Sequence, residues 1–302
     1  MAQKQSILRA LPTWAKACLV AASLSACLPG DNRPEPARVF VTAEPSEATR
    51  NGFSTSDGWT IRFDRFVAGL GDVDLDGPGG RDDTACNSYS EANYERLFDF
   101  TVLDRSKVAV VYGLGECSVE WRARGPSSDT VLGPGATQSD FELMTIRGSD
   151  SYATDDPASV VVRGTARKDG AEKVFLWIFR RSYEVDKCAA ASGDGYASVF
   201  ELQGGEEITL PLVVRGEELF RSSPDDDAPL VFEPFAQADA DANGVVDLAE
   251  LEAFPISLSV EAPPDGQDQP ETLADLVYDY SLPRISRVAG GGACEYELRN
   301  RR

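Results

Sequence analysis

The chain has 302 residues, and 50 acidic side chains against 29 basic ones give it a formal net charge of −21. A surface this acidic repels nucleic acid and anionic lipid headgroups. The charge therefore excludes a function that depends on binding to phosphate groups. The sequence contains no histidine, which excludes Ser-His-Asp and Cys-His catalysis and histidine-ligated zinc.

Residues 1–26 have the pattern of an export signal, with a basic start followed by a run of small and apolar side chains at 17–26. That run is too short to span a bilayer. It ends at residues 24–27, Leu-Ser-Ala-Cys, which resembles the lipobox of bacterial lipoproteins. The resemblance implies cleavage before Cys27 and a lipid on that cysteine, which anchors the protein to a membrane face. A simple secretory signal with a chance cysteine is the alternative.

The residue after the lipidated cysteine bears on the location of the protein. Leu28 stands there rather than aspartate, and by the same resemblance this favours sorting to the outer membrane. The sequence therefore predicts a lipid-anchored protein of the bacterial cell envelope, facing the periplasm or the surface. Residues 27–57 are predicted to be a tether with one early strand at 38–43.

Four further cysteines follow Cys27, and an even number in an oxidising compartment indicates disulfide bonds. We predict the pairs Cys86–Cys117 and Cys188–Cys294, one local and one joining the C-terminal region to the body. Four cysteines allow three pairings. No Cys-x-x-Cys spacing is present, which argues against a zinc site.

Residues 58–215 are predicted to form a β-sandwich-like or barrel-like body. Up to residue 214 we count roughly nine or ten short strand-like segments separated by turn signals, the pattern of such folds. Residues 59–63 and 66–75 are predicted as two successive apolar segments, and residues 173–183 as a central strand that is apolar on both faces. Thr137, with Asp140 three residues later, predicts the start of a short helix.

A fragment of a calcium-binding pattern occurs at residues 72–77, Asp-Val-Asp-Leu-Asp-Gly. Gly79 stands where an apolar residue is expected, and Asp83 is one carbon shorter than the closing glutamate. A strand end with Val73 and Leu75 facing inward explains the same alternation. A second ion at this segment is left open.

Residues 216–302 are predicted to be a small α-containing region packed on the body, and residues 239–250 within it match the calcium loop D-x-[DN]-x-[DN]-G-x₅-E at every specified position. The twelve-residue EF-hand loop holds Ca²⁺ with oxygens at fixed places, and a glycine at the sixth place allows its sharp turn. Gly244 occupies that place. The predicted ligands are Asp239, Asp241, Asn243, the backbone carbonyl of Val245, Asp247 and Glu250.

The flanks predict two short helices, because Pro234 and Pro255 bracket the loop. Phe235 before the loop and Leu251 and Phe254 after it supply an apolar face. The arrangement resembles the abbreviated EF-hands of secreted bacterial proteins. With no strong second copy, paired sensing is not expected, and the ion would act as a structural staple. An acidic surface turn without metal is the alternative.

The layout resembles uncharacterised bacterial lipoproteins with a β-rich body and one late EF-hand loop, a resemblance that implies no known activity. The sequence thus predicts a non-enzymatic, calcium-binding envelope lipoprotein. One alternative is a module that binds polysaccharide or another envelope protein, which exposure of Trp59, Trp121 and Trp177 would support. The other is a hydrolase that uses a pair of carboxylates.

Overall fold

One sheet contains all fifteen strands of the computed structural model, which describes residues 34–80, 83–89, 95–153, 155–258 and 269–299. The predicted mainly β class is confirmed, and the sheet curls into a half-barrel. The predicted signal segment and the lipidation at Cys27 lie outside the described residues. The strands are Ala37–Pro45 (β1), Phe53–Ser54 (β2), Thr60–Asp76 (β3), Cys86–Ser88 (β4), Glu95–Asp99 (β5), Ser106–Ala123 (β6), Val131–Leu132 (β7), Val160–Lys168 (β8), Ala171–Phe179 (β9), Ser182–Asp186 (β10), Val199–Leu202 (β11), Glu207–Val214 (β12), Val245–Val246 (β13), Ser286–Val288 (β14) and Glu295–Arg299 (β15).

The helices are short and lie between strands. They are Glu47–Asn51 (α1), Gln138–Thr145 (α2), Glu233–Ala238 (α3), Leu248–Ala253 (α4) and Leu273–Asp275 (α5), which continues as a π-helix over Leu276–Ser281 and a 3₁₀ turn over Leu282–Arg284; a further 3₁₀ turn spans Gly216–Phe220. The predicted start of α2 is confirmed, because Thr137 and Asp140 form a reciprocal capping box there. Among the described residues, no helix has the length and apolar character needed to cross a membrane.

The sheet curls because its two long strands change partners along their length. The main path runs β13-β9-β8-β3-β6-β1-β12-β14. Strand β6 pairs with β1 through its first half and with β3 and β10 through its second half. The β3–β6 register shifts between Gly71 and Asp74, and such bulges bend a strand and increase its twist. The two predicted segments at 59–63 and 66–75 are therefore one continuous bent strand.

Strand β1 lies inside the sheet, antiparallel to β6 on one side and parallel to β12 on the other. Its alternate side chains Ala37, Val39, Val41 and Ala43 are fully buried, the period-two pattern of a strand with one face on a core. The early strand predicted at 38–43 is therefore present, but residues 37–57 belong to the folded body and not to a tether.

Strand β9 is not the central strand that its apolar run predicts. It pairs with β8 along its whole length, whereas on its other side, within the part of the chain that the structure describes, it pairs only with the two residues of β13. Phe175, Trp177 and Phe179 are buried on one face, whereas Leu176 on the other face is 44% exposed. The strand also ends at Phe179, and the chain forms a separate strand, β10, from Ser182.

The C-terminal region contributes strands to the same sheet: β13, β14 and β15 pair with β9, β12 and β10. Two disulfides connect Cys86 to Cys117 and Cys188 to Cys294, so both predicted pairs are confirmed. The second bond links the end of β10 to the start of β15 across 106 residues of sequence. The described residues from 36 to 299 form one compact unit.

An aromatic cluster around Phe220 fills the part of the core beneath the C-terminal helices. The Phe220 side chain is fully buried. Its ring centroid lies 5.3 to 6.1 Å from those of six other aromatic rings, in tilted or edge-on arrangements that aromatic pairs prefer. These rings belong to Phe53, Phe63, Phe175, Trp177, Phe232 and Phe235.

Candidate functional site

Helix α3 leads into the predicted calcium loop and is held by contacts from elsewhere in the fold. Six residues are too few for a helix that is stable by itself. The carboxylate of Asp57 accepts hydrogen bonds from the amides of Phe232 (2.8 Å) and Glu233 (2.7 Å), which satisfies donors at the helix start. Phe235 is buried against the aromatic cluster. The helix therefore delivers Asp239, its last cap residue, to a fixed position.

The first half of the loop is ordered by its own carboxylates. The Asp239 oxygens Oδ1 and Oδ2 accept hydrogen bonds from the amides of Asn243 and Gly244, each at 3.0 Å. Asp241 Oδ1 accepts a second bond from the Asn243 amide, also at 3.0 Å. Gly244 has φ 82°, and a Cβ there would meet no atom within 4 Å. Backbone conformation, not space, therefore explains the glycine.

The middle of the loop is attached to the sheet through β13. The amide of Val174 in β9 donates to the Gly244 carbonyl at 2.8 Å, and the indole of Trp177 donates to the Val246 carbonyl at 3.1 Å. Val246 is fully buried, whereas Val245 is 38% exposed. The apolar residue of the loop motif therefore anchors the loop to the core.

Helix α4 closes the loop with a capping box. Asp247 Oδ1 accepts the Glu250 amide at 3.0 Å, and Glu250 Oε2 accepts the Asp247 amide at 3.2 Å. Glu250 Oε1 also accepts the amide of Ala240 at 3.2 Å. The closing glutamate thus reaches back across the loop to its beginning.

Three of the predicted ligands converge. One carboxylate oxygen from each of Asp239, Asp241 and Glu250 lies within 4.8 Å of the other two. Calcium binds oxygens at 2.3–2.6 Å, so two oxygens on one ion are at most about 5 Å apart. The three carboxylates are therefore close enough to share one ion.

Asn243 and Asp247, two further predicted ligands, form hydrogen bonds within the same loop. Asn243 donates from its side-chain amide to Asp241 Oδ2 (2.8 Å) and accepts the Val245 amide at 2.6 Å. Asp247 caps α4. Each of these side chains retains an oxygen lone pair besides the hydrogen bond that it accepts.

A lysine that sequence reasoning missed lies against the first predicted ligand. Lys173 Nζ forms an ion pair with Asp239 Oδ2, whose side chain is fully buried. The hydrogen bond from Lys173, followed by those from the Gly244 and Asn243 amides, holds the pKa of Asp239 below its ordinary value. The two residues are 66 positions apart. Only the parallel pairing of β13 with β9 brings them together, and no local pattern announces that pairing.

The segment at residues 72–77 forms the bulged end of β3. Asp72 has φ 45° and makes ion pairs with Arg122 and Arg124. Asp83 Oδ2 accepts the amide of Gly79 at 2.8 Å, which closes a tight turn. These contacts agree with the strand-end interpretation of the segment.

A second acidic site is a cavity of about 380 Å³ over strands β3, β6, β10 and β15. Burial, together with the charges of Asp186, Asp76, Glu184 and Asp74, raises the pKa of Glu120 to about 7. Sequence alone does not select this group among 50 acidic residues, because four separate strands assemble it. The cavity is lined by Asp76, Glu120, Glu184, Asp186, Glu295, Tyr296 and Glu297.

The raised pKa makes a prediction for stability against pH. Between about pH 4.5, the ordinary pKa, and about pH 7, the unfolded chain ionises at Glu120 while the folded protein stays protonated there. The contribution of protonated Glu120 to the free energy of unfolding is thus fully present below pH 4.5 and is lost as pH rises towards 7. We expect Glu120→Gln to be more stable than wild type by about 1–2 kcal/mol at pH 8 and equally stable at pH 4.5. The difference at pH 8 is modest because solvent screens the charge of this partly exposed side chain.

Denaturant unfolding at the two pH values measures this difference. Glu116→Gln, an exposed position on the same strand, is the matched control and should follow the wild-type pH dependence. If Glu120→Gln follows it too, the raised pKa is contradicted.

The tryptophans Trp59, Trp121 and Trp177 are all buried, with at most 4% of each exposed. They pack in the core and do not form an exposed aromatic platform of the kind that stacks on sugars.

No family model matches this chain, and comparisons with curated proteins and with solved structures likewise give no match.

Proposed function

We propose that residues 239–250 bind one Ca²⁺ ion, and that the ion fixes the C-terminal helices to the β-sheet of a non-enzymatic envelope protein. The observation that carries the proposal is the convergence of Asp239, Asp241 and Glu250 in a loop whose sequence fits the calcium pattern throughout. Carboxylates, an amide oxygen and a backbone carbonyl are the hard oxygen donors that calcium prefers.

The structural role follows from the connections of the loop. It joins α3, which packs on the aromatic cluster, to α4, and between them it attaches to β9 through β13. Asp239, Asp241, Asp247 and Glu250 place four carboxylates within twelve residues. A divalent cation offsets their mutual repulsion and holds both helices in place. A single extracellular-type loop has an affinity of about 10⁻⁴ to 10⁻³ M, so ambient calcium outside the cytoplasm fills it.

The proposed location outside the cytoplasm agrees with two disulfide bonds, which persist in oxidising compartments. Lipid attachment at Cys27 and residence in the outer membrane are part of the proposal. They rest on the lipobox-like residues 24–27 and on Leu28. In this account the lipid is the membrane contact, and the folded body from residue 36 onward carries the calcium loop.

Thermal melting tests the calcium role. At a calcium concentration a hundred times the Kd, binding adds about 2.7 kcal/mol to stability, and for a chain of this size we expect Tm to rise by about 5 °C over the chelator-treated protein. Glu250→Gln should lose most of that rise, because it removes the charge that closes the loop. Glu252→Gln, on the same helix but outside the loop, is the matched control and should retain it. An unchanged Tm in the wild-type protein contradicts the proposal.

The second candidate function is a carboxylate-based hydrolase, and the observation that favours it is the acidic cavity. Glu120, with its pKa near 7, has the property of a general acid, and further carboxylates line the same cavity. Hydrolysis of chromogenic glycosides by the wild-type protein, lost in Glu120→Gln, would establish this function. The calcium-binding account expects no hydrolysis by either protein. Burial of the three tryptophans removes the aromatic surface that a polysaccharide-binding role would use.

A further inference from the structure

Lys173 is fixed next to the calcium loop by the backbone. It is paired with Ala166 of β8 on one side, and the next residue, Val174, donates its amide to the Gly244 carbonyl at 2.8 Å on the other. The lysine side chain is 21% exposed. Its position is therefore set by two flanking strands, while its ammonium group remains within reach of solvent.

The ammonium group neutralises a carboxylate that has no access to solvent. Asp239 Oδ2 contacts Lys173 Nζ and also accepts the Gly244 amide, and the exposed fraction of the Asp239 side chain is 0%. A buried carboxylate without a counter-charge is costly. In the absence of a metal ion, Lys173 thus supplies the positive charge that this position needs.

A calcium ion in the loop and this ammonium group would both contact the Asp239 carboxylate. An ion bound at 2.3–2.6 Å from an Asp239 oxygen lies close to any ammonium group that contacts the same carboxylate. The two cations repel each other, and repulsion is strong at such a short distance in a partly buried site. Calcium binding therefore requires the lysine to move towards solvent, which its four-carbon flexible stem and partial exposure allow.

We propose that Lys173 is an internal cation that occupies the calcium loop at low calcium concentration, and that its displacement sets the calcium affinity of the site. The inference rests on the proposed function, since it concerns the regulation of the same loop. The ion pair also reduces the repulsion among the four acidic side chains of the loop, because Lys173 neutralises one of them. Hydrogen bonds from the loop's own amides can then hold it in a closed conformation. The lysine keeps the affinity low, so that the loop exchanges the ammonium group for calcium only where calcium is abundant.

Calorimetric titration with CaCl₂ tests this inference on the full chain. We expect Lys173→Met to bind calcium roughly tenfold more tightly than wild type, the order expected when one neighbouring charge is removed. Lys173→Met should also melt at a lower temperature than wild type in chelator, because it leaves Asp239 unpaired. Lys173→Arg keeps the charge and should retain an affinity close to that of wild type. It also covers the outcome in which the methionine variant does not fold.

Lys168→Met is the matched control. Lys168 ends the neighbouring strand β8 and pairs with Glu233 Oε2 of helix α3 at 2.9 Å, outside the loop. Its removal measures the effect of losing a positive charge from the same hairpin and should change the calcium affinity much less than Lys173→Met.

The outcomes separate this inference from the proposed function. Calcium binding by wild type with no gain in Lys173→Met, or a gain equal to that of Lys168→Met, overturns the inference and leaves the calcium site in place. Tighter binding by Lys173→Arg than by wild type also overturns it. No calcium binding by wild type or by any variant overturns the proposed function and this inference together.

Discussion

Replacement of Cys188 and Cys294 by alanine is expected to destabilise the protein by about 4.7 kcal/mol, the entropic value for a closed loop of roughly 100 residues. The bond closes 106 residues of sequence, including β11, β12, Phe220 and the predicted calcium loop. It also joins the ends of β10 and β15, which are neighbours in the sheet. Without the bond, this part of the unfolded chain has more conformational entropy, and folding must then overcome that additional entropy.

The other disulfide is a matched control within the same molecule. Cys86–Cys117 closes 31 residues, for which the same relation gives about 3.7 kcal/mol. In each pair one cysteine, Cys117 or Cys188, is fully buried, so the packing losses are comparable. Denaturant unfolding should rank the Cys188–Cys294 variant as the less stable one. The reverse ranking, or no loss in that variant, contradicts the account of the C-terminal attachment.

Phe220→Ala is expected to lower the free energy of unfolding by about 3–5 kcal/mol, the range for an aromatic side chain removed from a core. Phe220 is fully buried, and the six rings around it come from the sheet and from the segment before the predicted calcium loop. The cavity left by the ring cannot collapse easily, since rigid strands form one side of it. Phe235, at a centroid distance of 5.3 Å, loses a direct neighbour, and helix α3 loses part of its support.

Leu176→Ala on β9 is the control, because Leu176 lies on the exposed face of the strand that carries Phe175 and Trp177 beneath Phe220. An exposed substitution of this kind should stay within about 0.5 kcal/mol of wild type. Denaturant unfolding measures both variants. A loss below about 1 kcal/mol for Phe220→Ala would contradict the assignment of Phe220 to the centre of the core.

The features that sequence predicts well are those set by neighbours along the chain. The capping box of Thr137 and Asp140 needs only three residues of spacing, and the structure contains it. The loop at 239–250 is similarly local: Gly244 adopts a positive φ and Val246 is buried. The mainly β class follows from the number of alternating segments between turn signals. The confirmed disulfide pairs follow from the even cysteine count and from a preference for one local pair.

The features that sequence does not predict depend on which strands become neighbours. Strand β1 pairs in parallel with β12, about 170 residues later, and no local pattern distinguishes it from an early strand in a tether. The apolar run of β9 predicts burial on both faces, but Leu176 on the outer face stays exposed. Among the described residues, β9 lies next to the short edge strand β13. An apolar run shows that a strand is stable, but its place in the sheet depends on contacts far away in sequence.

The candidate site divides in the same way. The loop motif predicts Asp239, Asp241 and Glu250 as ligands, and the structure brings these three together. Lys173 and the cavity around Glu120 both arise from the order of strands in the sheet. Charge composition does not single out Glu120, because 50 acidic residues are spread over the whole chain.

Equilibrium dialysis against radioactive calcium tests the central claim most directly, because it counts ions bound per chain. The account predicts one calcium ion per wild-type chain at saturation and none in a variant that combines Asp239→Asn with Glu250→Gln. Equal uptake by wild type and the double variant would place the ion elsewhere on this acidic protein, and no uptake by wild type would contradict calcium binding altogether.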